Sequence, residues 1–291
     1  MKGREAALRG VCVTGATSPL ADFLLPRLAR AGFTVHALSR RPMPAGAATD
    51  GVTWHRAGLD GATVLPAMPA LRALIHVAPL WLLPAHVAGF AERGVDRIIA
   101  FGSTSRFTKA DSAGTAERQL AARLAQAEEA LAVACAARGV AWTIFRPTLT
   151  YADGRDGNIA VIARFIRRFG FFPLAGAASG RRQPVHADDL AAACLAALDV
   201  PAARNRAYNL PGGQELSYRE MVEAVFRAAG RPPRFVSLPW PVWRAALALA
   251  ALWPAAPKIG AEMVARMNTD MLFDYDDAQR DFGYAPRRFQ P

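Results

Sequence analysis

The stretch from Val11 to Leu28, VCVTGATSPLADFLLPRL, decides how the rest of the chain is read. A short apolar run ends in Thr14-Gly15 and passes into a segment whose leucines recur at helical spacing, which outlines a strand, a tight turn and a helix. A turn of this kind lets backbone N–H groups and the helix N-terminus approach a pyrophosphate, and glycine removes the Cβ that would block the approach. Gly15 supplies the first such position. Where a second and a third glycine would follow at three-residue spacing, the chain has Ser18 and Ala21. Ser18 can stand in if its φ is negative, adding a hydroxyl. Ala21 costs one methyl at the helix–strand contact. Pro19 is tolerated near the first helical turn, where its missing N–H would be unpaired in any case. Taken alone, the turn reads equally well as an ordinary connection.

The next strand sharpens the reading. It ends in Ser39-Arg40-Arg41, 24 to 26 residues after Gly15. An acidic residue there would hold a ribose 2′-hydroxyl, whereas two guanidiniums suit a 2′-phosphate through planar bidentate donors. The expected cofactor is therefore NADP rather than NAD. The competing reading is a solvated basic turn before Pro42.

Outward from this unit, short β-branched runs alternate with Ala/Leu-rich helical stretches, the pattern of successive βα units and a parallel sheet. The strands expected are GVCVTG, TVHALSR, VTWHRA, ALIHVA, RIIAFGS and AWTIFRP; Gly32 and Gly139 stop two of the helices. After Pro147 come looser elements, then the helix ADDLAAACLAALDV, a strand RAYNL, a Pro-Gly-Gly turn and a helix begun by a Ser217 cap. The fold class expected is α/β, a doubly wound parallel sheet with a small C-terminal substrate subdomain. Residues 1–206 would form the nucleotide domain, with substrate-side insertions at about 151–184, and 207–291 the smaller subdomain.

Composition narrows the function classes. Hydrophobic residues make up 52% of the 291 and charged ones 20%, which excludes a disordered chain. Cys12, Cys135 and Cys194 form no zinc spacing or disulfide framework, and the charged start MKGREAALRG leaves no room for a signal peptide core. A cytoplasmic protein without a metal site is expected. The net charge of +11 is almost all arginine, since Lys2, Lys109 and Lys258 are the only lysines. Scattered arginines with no basic run interleaved with aromatics argue against nucleic acid and leave phosphorylated ligands or an anionic membrane surface. The segment 239–257 raises the membrane question, but its uninterrupted apolar part, Ala245 to Trp253, falls short of the about 20 residues a span needs. A buried helix or substrate wall is expected there, with peripheral contact through its tryptophans as the alternative. A homodimer is compatible with the sequence and not required by it.

VTGAT, ALSRRP, IHVAP, FGSTSRF, TIFRPTLTYADGRDGNI, PVHADDLAAACLAAL and AYNLPGG occur in this order, and FDYDDAQRDFGYAPRRF closes the chain. In order and spacing they resemble the short-chain dehydrogenase/reductase superfamily, in its extended epimerase/dehydratase branch, over nearly the whole chain. The resemblance implies a Rossmann-type fold. It implies Gly15, Thr17, Ser18, Pro19 and Leu20 around the pyrophosphate, and Ser39, Arg40 and Arg41 at the adenosine phosphate. Ala78 and Pro79 would run along the cofactor, with Pro147, Thr148 and Leu149 near the nicotinamide. Ser103 falls where this branch keeps its substrate-binding serine, and Tyr151, Asn158 and His186 match positions that line or support the substrate cleft. Ser103 could equally only terminate a strand, and His186 could be a packing histidine.

One departure matters more. The chemistry of the superfamily is carried by a tyrosine and, four residues later, a lysine on the helix after the serine strand. That helix here reads AERQLAARLAQAEEALAVACAARG, with neither residue, and no Tyr-x-x-x-Lys occurs anywhere. Matching Glu128 to the family's helix acid puts Leu120 and Leu124 at the catalytic positions; matching Glu129 puts Ala121 and Ala125 there. Three readings follow: an atypical NADP-dependent oxidoreductase or epimerase on a small, apolar or nucleotide- or lipid-linked substrate, its proton coming from Ser103 or Thr104 through water, Asp111, Tyr151 or His186; a catalytically inactive NADP-binding sensor, assembly or structural protein; and a non-redox lyase or isomerase in the same cleft. The first is favoured, because the cleft-side elements through Asn158 and His186 are intact.

Overall fold

The computed structural model describes residues 9–44, 50–60, 65–238, 243 and 264–291. All of the segment 239–257 except Trp243 lies outside them, so the expectation of a substrate wall or membrane contact there is not addressed.

Seven parallel strands form the main sheet. They are β1 (Gly10–Thr14), β2 (Thr34–Ser39), β3 (Val52–Arg56), β4 (Ala73–His76), β5 (Arg97–Phe101), β6 (Ala141–Pro147) and an edge strand, Arg206–Leu210. Their order is that edge strand, then β6, β5, β4, β1, β2 and β3, so the connection direction reverses between β1 and β4. Ligands of doubly wound sheets bind outside the carboxyl ends of the strands at such a switch point. The central strands are buried on both faces, which is why Val11–Val13 and Ala73–Ile75 read as continuous apolar runs.

Helix α1 (Ala21–Arg30) follows β1 and buries Leu24, Leu25 and Leu28 against one face of the sheet. The five-residue helix α2 (Val87–Ala91), the short α3 (Ser105–Thr108) and the long α4 (Thr115–Ala136) come next. Leu131 and Cys135 of α4 join Leu74, Ile98 and Ile144 in a second core on the opposite face. Residues 151–184, expected as insertions, supply much of an outer layer. The bridge β7 (Thr150–Tyr151), helix α5 (Ile159–Phe169), and strands β8 (Phe172–Ala175), β9 (Arg181–Arg182) and β10 (Val185–His186) are followed by helix α6 (Ala187–Leu198), which returns to the α1 face.

The chain beyond position 206 returns to the main sheet. Arg206–Leu210 (β11) pairs in parallel with β6 from Arg206↔Thr143 to Leu210↔Pro147, and Tyr208 and Leu210 enter the α1-side core beside Phe145. Strand β12 (Leu216–Ser217), helix α7 (Tyr218–Ala228) and strand β13 (Phe235–Leu238) build the outer layer with α5 and β8, around a third core of Ile162, Ile166, Met221 and Phe226. Helix α8 (Asp276–Phe282) then comes back to the sheet, where Phe282 packs on Phe145 at 5.7 Å. A five-residue strand between loops carries too little signal to announce that it completes the main sheet. The expected Ser217 cap is present as a reciprocal pair with Glu220. The Pro-Gly-Gly turn is pressed on the chain ahead of β10: a Cβ on Gly212 would lie 1.8 Å from the Pro184 carbonyl oxygen.

Charge ties the layers. Arg27 of α1 donates two 2.7 Å bonds to Asp188 in the first turn of α6, and Arg287 near the chain end donates to Asp188 at 2.6 Å and Asp189 at 2.7 Å. The Arg27 hydrogen bond, against the opposing effect of desolvation and with help from Arg287, holds the Asp188 carboxyl down at about 2. A depressed carboxyl contributes stability that is complete above its unfolded value and is lost as pH falls through the folded one. Asp188 should therefore contribute about 2 kcal/mol that disappears between about pH 4 and pH 2. In Asp188→Asn, denaturant unfolding at neutral pH should show a loss of that order and a shallower acid limb; an unchanged acid limb would contradict the assignment.

Candidate functional site

The site begins at the turn after β1. Gly15 has φ +75°, and a Cβ on it would lie 2.7 Å from Ala78 N, so the turn can sit against the end of β4 only because the side chain is absent. The N–H groups of Gly15 and Ala16 both reach Leu38 O, and Ser18 N returns to Gly15 O. The N–H groups of Thr17 and Leu20 have no protein acceptor among the described residues. Two free donors beside a glycine-cleared space at the start of α1 suit a pyrophosphate. Ser18 does not have a positive φ, and its Oγ accepts from Ala21 N at 3.3 Å.

Thr17 and Ser39 share a hydroxyl hydrogen bond of 3.1 Å, and Arg41 N donates to Ser39 Oγ at 3.1 Å. The ends of β1 and β2 are thus joined where an adenosine would lie. Arg40 and Arg41 both face solvent, and Arg40 holds Asp60 at 2.9 Å in a well exposed pair. Beneath the turn, fully buried His76 bridges Thr14 Oγ1 at 2.7 Å and Pro79 O at 3.1 Å. A carbonyl can only accept, so Nε2 carries the proton and Nδ1 accepts from the Thr14 hydroxyl. Burial pushes the imidazole down to about 4, against the Pro79 bond, so it is neutral at pH 7. The loop through Ala78 and Pro79 is braced to β1 by this ring.

Outside the ends of β5 and β6, under the outer layer, lies a cavity of about 620 Å³. Ser103, Thr104, Pro147, Thr148, Leu149 and Asn158 line it. Its wall is mostly apolar, with Val161, Ile162, Phe165, Phe172, Met221 and Met271 among the lining residues. Ser103 Oγ accepts from Ser105 N at 3.1 Å, which leaves its own proton available to a ligand. The Thr104 hydroxyl is spent on Pro147 O at 3.1 Å, a tie between the two strand ends. Asn158 Nδ2 donates to Thr150 O at 3.3 Å.

Tyr151 and His186 do not line the cavity. Tyr151 is buried, its hydroxyl accepts from Gln290 N at 3.2 Å, and its ring stands edge-on to His186 and Phe289. His186 caps α6: Nδ1 accepts from Asp188 N at 3.1 Å, and Nε2 faces Asp153 at 3.3 Å.

Lys109, Arg182, Tyr218 and Arg266, ionisable groups in the lining, were not singled out in the sequence. Lys109 reaches Glu117 at 3.2 Å, Arg266 pairs with the same carboxylate, and Ser112 donates to it at 2.7 Å. Desolvation would raise the Glu117 carboxyl, but these three partners overcome it and hold it down at about 2. Two cations thus share one anion at the cavity wall. Tyr218 has its phenol pushed up to about 12 by burial with Arg182 opposing. The rarity of lysine in an arginine-rich chain was the one available signal for Lys109.

Helix α4 contributes nothing to the lining. It buries Ala121, Leu124, Ala127, Glu128 and Leu131, while Glu129 is exposed. Buried Glu128 accepts from Arg146 at 2.5 Å and from Arg106. Glu128 is thus the buried acid of α4, with Leu124 one turn and Leu120 two turns before it.

Residues 85–210 match the model of the NAD dependent epimerase/dehydratase family. An uncharacterized protein, y4nG, of Sinorhizobium fredii is 31% identical over 149 residues, covering 51% of this chain and 37% of that protein. The NAD(P)H azoreductase of Xenophilus azovorans is 36% identical over 102 residues, 34% of this chain and 33% of the enzyme. The chain thus spans well under two thirds of the length of these curated relatives. The solved structure of DesIV, a dTDP-glucose 4,6-dehydratase from Streptomyces venezuelae with NAD bound, superposes with a TM-score of 0.72 over 96% of this chain and 92% of that one, at 16% identity. The resemblance to the epimerase/dehydratase branch is borne out over residues 85–210, and the Rossmann-type sheet by the superposition.

Removing a buried carboxylate from between two guanidiniums leaves both uncompensated. Glu128→Ala should lower stability by about 3–5 kcal/mol in denaturant unfolding, and a loss below about 1 kcal/mol would show that the cluster is solvated.

Proposed function

We propose that this chain, of the NAD dependent epimerase/dehydratase type over residues 85–210, is an NADP-dependent oxidoreductase that reduces a small, apolar, activated acceptor in the cavity beside Ser103. The observation that carries the reading is the pair of free N–H groups, Thr17 and Leu20, at the Gly15 turn, on the same sheet edge as an apolar cavity with one hydroxyl donor to spare. Gly15, Thr17, Ser18, Pro19 and Leu20 would hold the pyrophosphate. Arg40 and Arg41 would hold the 2′-phosphate, and the exposed Arg40–Asp60 pair is weak enough for a phosphate to compete with it. Ala78 and Pro79 would line the path to Pro147, Thr148 and Leu149 at the nicotinamide.

A bound nicotinamide would supply a hydride. The Ser103 hydroxyl would donate to the acceptor atom on which negative charge develops, and the apolar wall would keep water from the other faces. No tyrosine–lysine pair is present to deliver the proton, so the acceptor has to be one that takes hydride with little acid assistance. A conjugated or polarised double bond meets that need, with hydride going to one of its atoms and a proton from water to the other. The azoreductase relative, by its name, acts on a bond of this activated kind. General acid catalysis is worth roughly 10²–10⁴-fold, so a slow turnover is expected. Leu120 and Leu124 on α4 also support a second reading, an NADP-binding protein without catalysis, which predicts cofactor binding and no turnover with any acceptor.

Calorimetry should find NADPH bound at least about tenfold more tightly than NADH, with Arg40→Ala removing most of the gap; equal affinities would sink the NADP assignment. Across a panel of quinones, azo compounds and enones, acceptor-dependent NADPH oxidation should fall roughly 10²-fold in Ser103→Ala. An unchanged rate would remove Ser103 from the reaction, and tight NADPH binding with no oxidation would favour the second reading.

A further inference from the structure

Part of the net charge of +11 gathers on one face of the protein. Helix α5 turns Ile159, Ile162 and Ile166 into the third core and Arg164, Arg167 and Arg168 out to solvent. Its last residue, Phe169, is 54% exposed. Gly170 then reverses the chain in the left-handed region, φ +75°, and sets Phe171 beside it. Phe165, Phe169 and Phe171 form one cluster, with ring centroids 4.6 Å apart for Phe165–Phe169, 5.8 Å for Phe165–Phe171 and 6.4 Å for Phe169–Phe171.

The loop before β13 closes on the same turn. Arg231 Nη1 would lie 3.6 Å from a Cβ on Gly170, and Arg234 O accepts from Phe172 N at 2.9 Å. Arg231 and Arg234 are both exposed. Five arginines thus surround a tip of phenylalanine, and none has a carboxylate within ion-pair distance among the described residues. Several exposed arginines elsewhere do: Arg181 holds Asp270 and Glu215, Arg280 holds Asp277, and Arg287 holds Asp188 and Asp189.

A single exposed phenylalanine needs no explanation. Five unneutralised guanidiniums around one repel each other and are compensated by a dense anionic partner. The rings pack on one another and not as separate platforms for successive bases, which is the arrangement single-stranded nucleic acid uses. An apolar tip ringed by cations matches a bilayer interface, with rings below the headgroups and guanidiniums at phosphate depth. We propose that this face, formed by the C-terminal half of α5, the Phe169–Phe171 turn and Arg231 and Arg234, docks the protein on an anionic lipid bilayer. Phe165 belongs to both this cluster and the cavity lining, so the docked face adjoins an apolar wall through which a membrane-dissolved ligand could be taken up.

The test is co-sedimentation of the full chain with vesicles of phosphatidylcholine alone and of an equimolar mixture with phosphatidylglycerol. Binding should be at least about tenfold stronger to the anionic vesicles and should fall steeply with added salt. The triple variant Arg164→Gln, Arg167→Gln, Arg168→Gln should lose at least about tenfold, with an unchanged melting curve and unchanged NADPH binding, since these side chains lie away from the Gly15 turn. Phe169→Ser should weaken binding without altering its salt dependence. Equal binding to both vesicles, salt-insensitive binding by the unaltered chain, or displacement from anionic vesicles by lower concentrations of an oligonucleotide than of the lipid itself would overturn the proposal. The salt response of the unaltered chain decides the matter even if a variant fails to fold.

Discussion

The contact on which the site depends is the approach of the β1 turn to the end of β4. A Cβ on Gly15 would stand 2.7 Å from Ala78 N, so one missing methyl group sets how closely the first strand's turn can meet the loop that follows its neighbour. Because the strand order reverses between β1 and β4, that contact lies at the mouth of the crevice. His76 then fixes the two elements by accepting from one and donating to the other, at no cost in charge because the ring is neutral. The helix that follows starts with N–H groups uncommitted to protein.

Around this turn the chain distributes charge by function of place. Asp188 and Asp189 sit in the first turn of α6, where the helix dipole favours them, and draw in Arg27 from one element and Arg287 from another. Glu128 does the same for Arg106 and Arg146 beneath the end of β5. Glu117 gathers Lys109 and Arg266 at the cavity wall. In each case one carboxylate, Asp188, Glu128 or Glu117, bridges two cations. The α5 face lacks even the single carboxylate.

Much of the fold was legible because it rests on local signals. Each of the six expected strands is present, the central ones because strands buried on both faces read as apolar runs, and Gly32 and Gly139 both take the left-handed φ that ends their helices. Ser217 caps its helix as its type suggested. Less legible was whatever depends on what a residue faces. β11 looked like part of a separate subdomain, because five residues do not reveal that Tyr208 and Leu210 will meet Phe145 and Phe282. Tyr151 and His186 were plausible cleft residues by position, and the folded chain sets them edge to edge away from the cavity. Lys109 and Arg266 are 157 positions apart and share a carboxylate that no local pattern could assign to them.

By itself the sequence determined the alternation of strands and helices, the glycine turn after β1, the basic end of β2 and the absence of a tyrosine–lysine pair, all of which are properties of residue type and short spacing. Tertiary structure alone decided which polar groups share a cavity, that Glu128 and not Glu129 is the buried acid of α4, that Thr104 is already committed to Pro147 while Ser103 keeps its proton, and that five arginines converge on one phenylalanine turn. The reason is physical: hydrogen-bond partnership and charge neutralisation act over a few ångströms between residues far apart in the chain, and only packing brings those residues together.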